Sequence, residues 1–335
     1  MRFMLPLLAS LALAGAAQPA TLPLGADLER FDYGAPIHWF RSGAVHMAYL
    51  DLTPPTPANG TTIVLLHGKN FCAGTWLDTA RALAAHGYRV IAPDQVGFCK
   101  SSKPAGFQYS VPALATLTRD LLTAAGVERA VLVGHSTGGL IAMRFALLYP
   151  GRVSALVLVN PLGLNDTLAE GVPYAPLDKL RAEEAKTDAT SIKAYQLKYY
   201  YHGEWRPQYD RWVAMLAGQY ASPDGNSVRE AQARTSEMIE AGPVAAELPR
   251  LALPVTLLIG QADRTAFRAS SVPPALQPRI RTAPEAAEQA ARVIPHARLV
   301  RLEGLGHAPF IEAPGRFQAA LLDALAGQIS AGQVP

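Results

Sequence analysis

The sequence predicts an α/β protein: a doubly wound, mostly parallel sheet with helices on its faces and a helical cap inserted late in the chain. Three observations predict it. Short β-rich runs alternate with helical stretches, and such alternation implies right-handed crossovers between parallel strands. Several runs are apolar throughout, as strands covered on both faces are. One polar and aromatic stretch, from about Pro161 to Glu247, breaks the alternation without offering a strand.

Composition narrows the class. Half of the 335 residues are hydrophobic, 17% are charged and mean hydropathy is +0.10, which supplies ample material for a core. The net charge of +3 comes with no Lys/Arg block, so nucleic acid is not an expected partner. Arg2 precedes an apolar stretch, Phe3 to Ala17, that closes on the small residues Ala14-Gly15-Ala16-Ala17. A positive head, a short apolar segment and a small-residue exit describe a secretory signal peptide over residues 1–20. Pro6 interrupts the stretch and its length is short for a membrane span, so an uncleaved anchor is the lesser alternative. The expectation is export to the periplasm or beyond, with no stable membrane insertion after cleavage. Cys72 and Cys99 are the only cysteines; in an exported protein such a pair is a disulfide candidate, with two buried thiols as the alternative. No spacing suggests a metal site, and no cofactor is expected.

The elements follow in order. Strands are predicted at Val45–Leu50, Ile63–Leu66, Arg89–Ala92, Ala130–Val133, Ala155–Val159, Val255–Ile259 and Arg298–Leu302. Helices are predicted at Trp76–Ala85, Ala113–Ala125, Gly139–Tyr149, Glu285–Val293 and Arg316–Ile329. The last repeats Phe317, Leu321, Leu325 and Ile329 at four-residue steps, one amphipathic face. Gly87 and Gly126 stand where helix C-caps belong. The core then comprises residues 35–160 and 248–330, and the cap residues 161–247. Ligands of open α/β sheets sit beyond the carboxyl ends of the strands, where an insert would roof them. The cap aromatics Tyr195, Tyr199, Tyr200, Tyr201, Trp205, Tyr209 and Trp212 either face that site or pack the cap's own core.

The chemistry centres on Ser136, in Gly134-His135-Ser136-Thr137-Gly138 between the apolar run Ala130–Val133 and a helical stretch. A nucleophile on a strand-to-helix turn takes a strained backbone, tolerated when the residues two positions either side are glycine. The helix N-terminus then offers free N–H groups to a developing oxyanion. A serine hydroxyl needs a base in reach, and the base needs an orienting carboxylate. Asp263 lies just past the strand Val255–Ile259, and His307 just past Arg298–Leu302. The order Ser136, Asp263, His307 fits this architecture. Asp166, past the strand ending at Val159, is the rival acid. Two backbone donors must form the oxyanion hole. Thr137 N–H is one, and the loop His67-Gly68-Lys69-Asn70 gives the other, assigned to Lys69 with Asn70 as the alternative.

These pieces together (LLHGKN, DQVGFCKSS, VGHSTGGLIAMRFALLYP, LLIGQADRT and GLGHAPFIE, in that order) resemble the α/β-hydrolase superfamily over roughly residues 35–330. Within it the chain is similar to capped serine hydrolases such as proline iminopeptidases, carboxylesterases and carbon–carbon bond hydrolases. The resemblance implies an eight-stranded sheet, a cap after the sixth strand, and Ser136, Asp263 and His307 as nucleophile, acid and base. It also implies that the loops carrying Cys72 and Cys99 are neighbours, which favours the disulfide. Cys99 stands where many relatives carry glycine. Lys69 stands where the side chain is often apolar, so its cation either meets a substrate carboxylate or points to solvent. A serine at position 136 argues against the aspartate-dependent dehalogenases and epoxide hydrolases of this fold. The expected function is hydrolysis of a small-molecule ester through an acyl-enzyme. The alternatives are a proline-iminopeptidase-type or C–C bond hydrolase, and a non-catalytic binding protein on the same fold. An iminopeptidase would use cap acids to hold an amine, with Glu183, Glu184, Glu204, Asp210, Glu230 and Glu237 available.

Overall fold

The computed structural model describes residues 21–55 and 57–331, the last four as backbone alone. Residues 1–20, read above as a signal peptide, lie outside the described residues. Strands β1 (His38–Ser42) and β2 (Val45–Leu52) open the chain as an antiparallel hairpin. Then come β3 (Thr62–Leu66), α1 (Leu77–Ala85), β4 (Arg89–Pro93), α2 (Val111–Ala124), β5 (Ala130–His135), α3 (Thr137–Leu148) and β6 (Val153–Val159). Five helices follow before the sheet resumes: α4 (Thr167–Glu170), α5 (Leu177–Glu184), α6 (Ala189–Tyr199), α7 (Asp210–Tyr220) and α8 (Gly225–Ala241). The chain ends through β7 (Val255–Gly260), α9 (Ala283–Val293), β8 (Ala297–Leu302), α10 (Pro309–Glu312) and α11 (Pro314–Ala331).

The eight strands form one sheet in the order β1-β2-β4-β3-β5-β6-β7-β8. Only the first two pairings, β1–β2 and β2–β4, are antiparallel; every later pairing in that order, from β4–β3 to β7–β8, is parallel. Side chains alternate across the sheet, so Val64 and Leu66 enter one core while Ile63 and Leu65 enter the other. Helices α2, α3 and α9 cover the first face with Leu121, Phe145 and Ala287. The second face is covered by α1 and α11, through Leu83, Phe317, Leu321 and Leu325. Each predicted strand is present. The addition is β1, whose sequence His-Trp-Phe-Arg-Ser has no apolar face to detect, because an edge strand is half solvated. Gly87 and Gly126 take φ of +87° and +71° just past the ends of α1 and α2.

Asp94, after β4, ties the loops near the carboxyl ends together. One oxygen accepts the Ala73 N–H at 2.7 Å; the other accepts the Lys100 N–H at 3.0 Å and the Tyr33 hydroxyl at 2.7 Å. Tyr33 belongs to an N-terminal segment that also grips the insert, where Leu24 N–H donates to Gly218 O and Gly25 N–H to the Ser222 hydroxyl. Tyr33→Phe removes one charge-assisted bond in a dry site, and should lower unfolding free energy by about 1.5–3 kcal/mol. A urea titration checks this, as a lower midpoint at unchanged slope.

Candidate active site

Ser136 adopts φ +52°, ψ −118°, a conformation that side-chain-bearing residues rarely take. Glycines make the turn possible by close approach. A Cβ on Gly134 would lie 2.5 Å from Gly138 O, and one on Gly138 would lie 2.2 Å from Leu66 O. Strand β5 therefore runs directly into α3 with Ser136 at the junction. The Thr137 N–H heads that helix, where no intrahelical acceptor exists.

His307 and Asp263 meet as a buried pair. His307 Nδ1 lies 2.7 Å from Asp263 Oδ2, and both side chains are at most 1% exposed. The other Asp263 oxygen accepts the Thr265 N–H at 2.7 Å, which fixes the carboxylate plane. With Nδ1 donating to the carboxylate, Nε2 is the free face of the imidazole; it is buried and meets no partner among the described residues. No hydrogen bond joins it to Ser136. Such contacts commonly tighten only when substrate binds. The rival acid, Asp166, instead caps α4 by accepting the Ala169 N–H at 3.1 Å.

Two residues that sequence reasoning did not single out hold the base loop. Asn160, at φ +42° just past β6, donates through Nδ2 to Gly306 O at 2.8 Å and His307 O at 3.0 Å. Its Oδ1 accepts the Gly260 N–H at 2.9 Å, so one amide joins the ends of β6, β7 and the base loop. The available signal was a lone amide closing the apolar strand Val153–Val159. His135 Nε2 lies 2.8 Å from His307 O, and a carbonyl acceptor assigns it the proton. Burial, with His307 alongside, holds the His135 imidazole well below its usual pKa and hence neutral.

The loop after β3 sits against the serine: a Cβ on Gly68 would lie 2.9 Å from Ser136 Cβ. Phe71 N–H donates to Gly68 O at 3.1 Å, making a turn that carries Lys69 and Asn70. The insert covers this loop. Lys69 Nζ pairs with Glu184 Oε1 at 2.8 Å, and Asn70 Nδ2 donates to the Tyr200 hydroxyl at 2.9 Å. A cavity of about 310 Å³ opens beside Lys69 and Asn70, walled by Tyr195, Tyr199, Tyr220 and Phe267. A small void of about 30 Å³ reaches His307 and shares Phe267 as a wall.

Cys72 and Cys99 are neighbours: their sulfurs and an Asp94 oxygen lie within 4.8 Å of one another. The expected disulfide is corrected, since both are free buried thiols. Each sulfur has an acceptor of its own, Met215 Sδ at 3.2 Å for Cys72 and Phe71 O at 3.3 Å for Cys99. The Asp94 oxygens are already occupied by Ala73, Lys100 and Tyr33.

The family model for the alpha/beta hydrolase fold matches residues 61–314, and the chain belongs to that family of hydrolases. A probable hydrolytic enzyme from Pseudomonas aeruginosa PAO1 is 50% identical. Its structure superposes with a TM-score of 0.88, covering 91% of this chain and 99% of that one. A thermophilic esterase from Thermogutta terrifontis shares the fold at TM-score 0.66 and 21% identity, over 88% of this chain and 99% of that one. Among curated sequences, a 2-hydroxy-6-oxo-6-phenylhexa-2,4-dienoate hydrolase from Burkholderia cepacia is 37% identical over 137 residues, 40% of this chain and 48% of that protein. An uncharacterized protein of Mycobacterium tuberculosis is 42% identical over 107 residues, 32% of this chain and 31% of that protein. The chain thus spans less than half the length of each of these curated relatives.

Burial pushes the Cys99 thiol well above its usual pKa, with the Cys72 sulfur adding to the shift. At pH 8 the native protein should therefore resist iodoacetamide. Denatured without reductant, it should take up two alkyl groups by intact mass; uptake of none would restore the disulfide.

Proposed function

We propose that the protein is a serine hydrolase acting on small neutral esters. What carries this reading is the buried Asp263–His307 pair, with Nε2 left free, packed against His135, the residue before a serine held at φ +52° on the β5–α3 turn. In the reaction, Ser136 Oγ attacks the ester carbonyl while His307 Nε2 takes its proton. Asp263 holds the imidazole and stabilises the cation that forms. The N–H groups of Thr137 and Lys69 receive the oxyanion, with Asn70 N–H as the alternative to Lys69. Collapse expels the alcohol, which carries off the proton from His307. Water then attacks the acyl-enzyme by the same route and the acid leaves.

Charge supports a neutral substrate. A substrate amine would need an uncommitted carboxylate, yet Glu183 and Glu184, the acids that line the cavity, are both paired. Glu183 pairs with Arg268, Glu184 with Lys69, Glu204 with Arg206 and Asp210 with Lys193. Glu230 pairs with Arg181 and Arg234, and Glu237 accepts the Tyr174 hydroxyl. An anionic dienoate would need a cation, but Lys69 and Arg268 are the cations at the cavity and both are paired. In this reading α4–α8 act as a cap, and the leader-like stretch Phe3–Ala17 supports export.

A fluorophosphonate should add once to the native protein and not to Ser136→Ala. Short p-nitrophenyl esters should turn over, with kcat/KM falling by about a thousandfold or more in Ser136→Ala or His307→Ala. Proline p-nitroanilide should not be cleaved. No adduct on folded protein would instead favour a ligand-binding role, and activity confined to prolyl amides would favour the aminopeptidase.

A further inference from the structure

We propose that Tyr200, at the end of α6, is a positioning residue for the catalytic base, joining the cap to the His307 loop and the oxyanion loop at once. This rests on the serine hydrolase reading.

Three parts of the residue make three different contacts. Its carbonyl accepts the His307 N–H at 2.8 Å. The approach is close enough that a Cβ on Gly306 would lie 2.1 Å from Tyr200 O, which gives Gly306 its reason. Its ring lies against the His307 imidazole, with centroids 4.5 Å apart at 35°. Its hydroxyl accepts from Asn70 Nδ2, on the loop whose Gly68 abuts Ser136. The residues after it extend the grip. His202 Nε2 lies 3.3 Å from Glu312 Oε2, and both Glu312 oxygens accept the Gly306 N–H, at 2.9 and 3.1 Å. Arg206 donates to Glu312 O at 3.3 Å. The loop that carries the base is therefore bounded by the core on one side, through Asn160 and His135, and by Tyr200–Arg206 on the other.

The ring suits its place chemically. During turnover His307 alternates between neutral and cationic forms. An aromatic face against the imidazole excludes water and favours the cation through the ring quadrupole. Burial keeps the Tyr200 hydroxyl protonated, so it brings no negative charge to compete with Asp263.

The test compares Tyr200→Leu and Tyr200→Met, which keep the carbonyl but lose the ring, with Tyr200→Phe, which loses only the hydroxyl. The readouts are kcat and KM for a p-nitrophenyl ester, the rate of fluorophosphonate labelling at Ser136, and thermal unfolding. The aliphatic variants should lose about tenfold or more in kcat and in labelling rate, as small displacements of a catalytic group do. Their KM should stay within about threefold, since the loss falls on the transition state. Tyr200→Phe should recover most of both rates. The proposal is overturned if the aliphatic variants match wild type, if Tyr200→Phe falls as far as they do, or if only KM changes. Failure of both aliphatic variants to fold overturns it too, by making Tyr200 structural. Absence of labelling in the wild type would sink the serine hydrolase reading itself, a separate outcome.

Discussion

Ser136 holds its left-handed backbone against a steric cost of about 1–3 kcal/mol, and the packing that enforces it sets the spacing of the whole site. The turn stays strained only because α3 is pressed back onto β5 and β3. Gly134 touches the start of α3 and Gly138 touches Leu66, backbone against backbone, with no room for one added carbon. That contact fixes where β3 ends relative to β5, and so where the His67–Asn70 loop begins. It also starts α3 directly after the serine. Loosening either glycine contact would move Ser136 and the His67–Asn70 loop together.

Buried polar atoms without partners occur at several places among the described residues, Trp76 and Gln196 included, and three of them lie here. His307 Nε2, His135 Nδ1 and Thr137 Oγ1 are all buried and without partners among the described residues. Each such atom costs about 1–3 kcal/mol relative to a satisfied one. Elsewhere buried polar groups at the strand ends are well served: Asn160 makes three hydrogen bonds and Asp94 three.

Much of this was legible along the chain because it is local. Parallel strands buried on both faces read as apolar runs, and the residue past each carboxyl end is then fixed by counting. Counting puts Ser136, Asp263 and His307 past the ends of β5, β7 and β8, where the structure also has them. What was not legible depends on contacts between distant segments. Asn160 looks like any residue ending a strand until Gly306 is beside it. Tyr200 is one of several cap tyrosines, and only folding selects it: Tyr201 stacks on Tyr209, 3.7 Å between centroids, within the cap's own packing, while Tyr200 lies on His307. The neighbouring cysteines show the opposite failure. Their loops do meet, yet both are free thiols, and a pair of neighbouring cysteines reads the same in sequence whether bonded or not.

Charge illustrates the limit best. In sequence Lys69 is a cation at the pocket and Glu183-Glu184 are acids on the cap, each able to recruit a substrate of opposite sign. In space they cancel. Lys69 and Glu184 are only 14% and 13% exposed, so neither charge could be stripped of its partner without a heavy desolvation cost. Arg268 is engaged twice, by Glu183 and by Glu240. These pairs also cross from the core to the insert, one at the His67–Asn70 loop and one past the Asp263 loop, and so hold the two together. The cavity between them is left with tyrosine and phenylalanine walls, Tyr195, Tyr199, Tyr220 and Phe267, and with charges that are already paired.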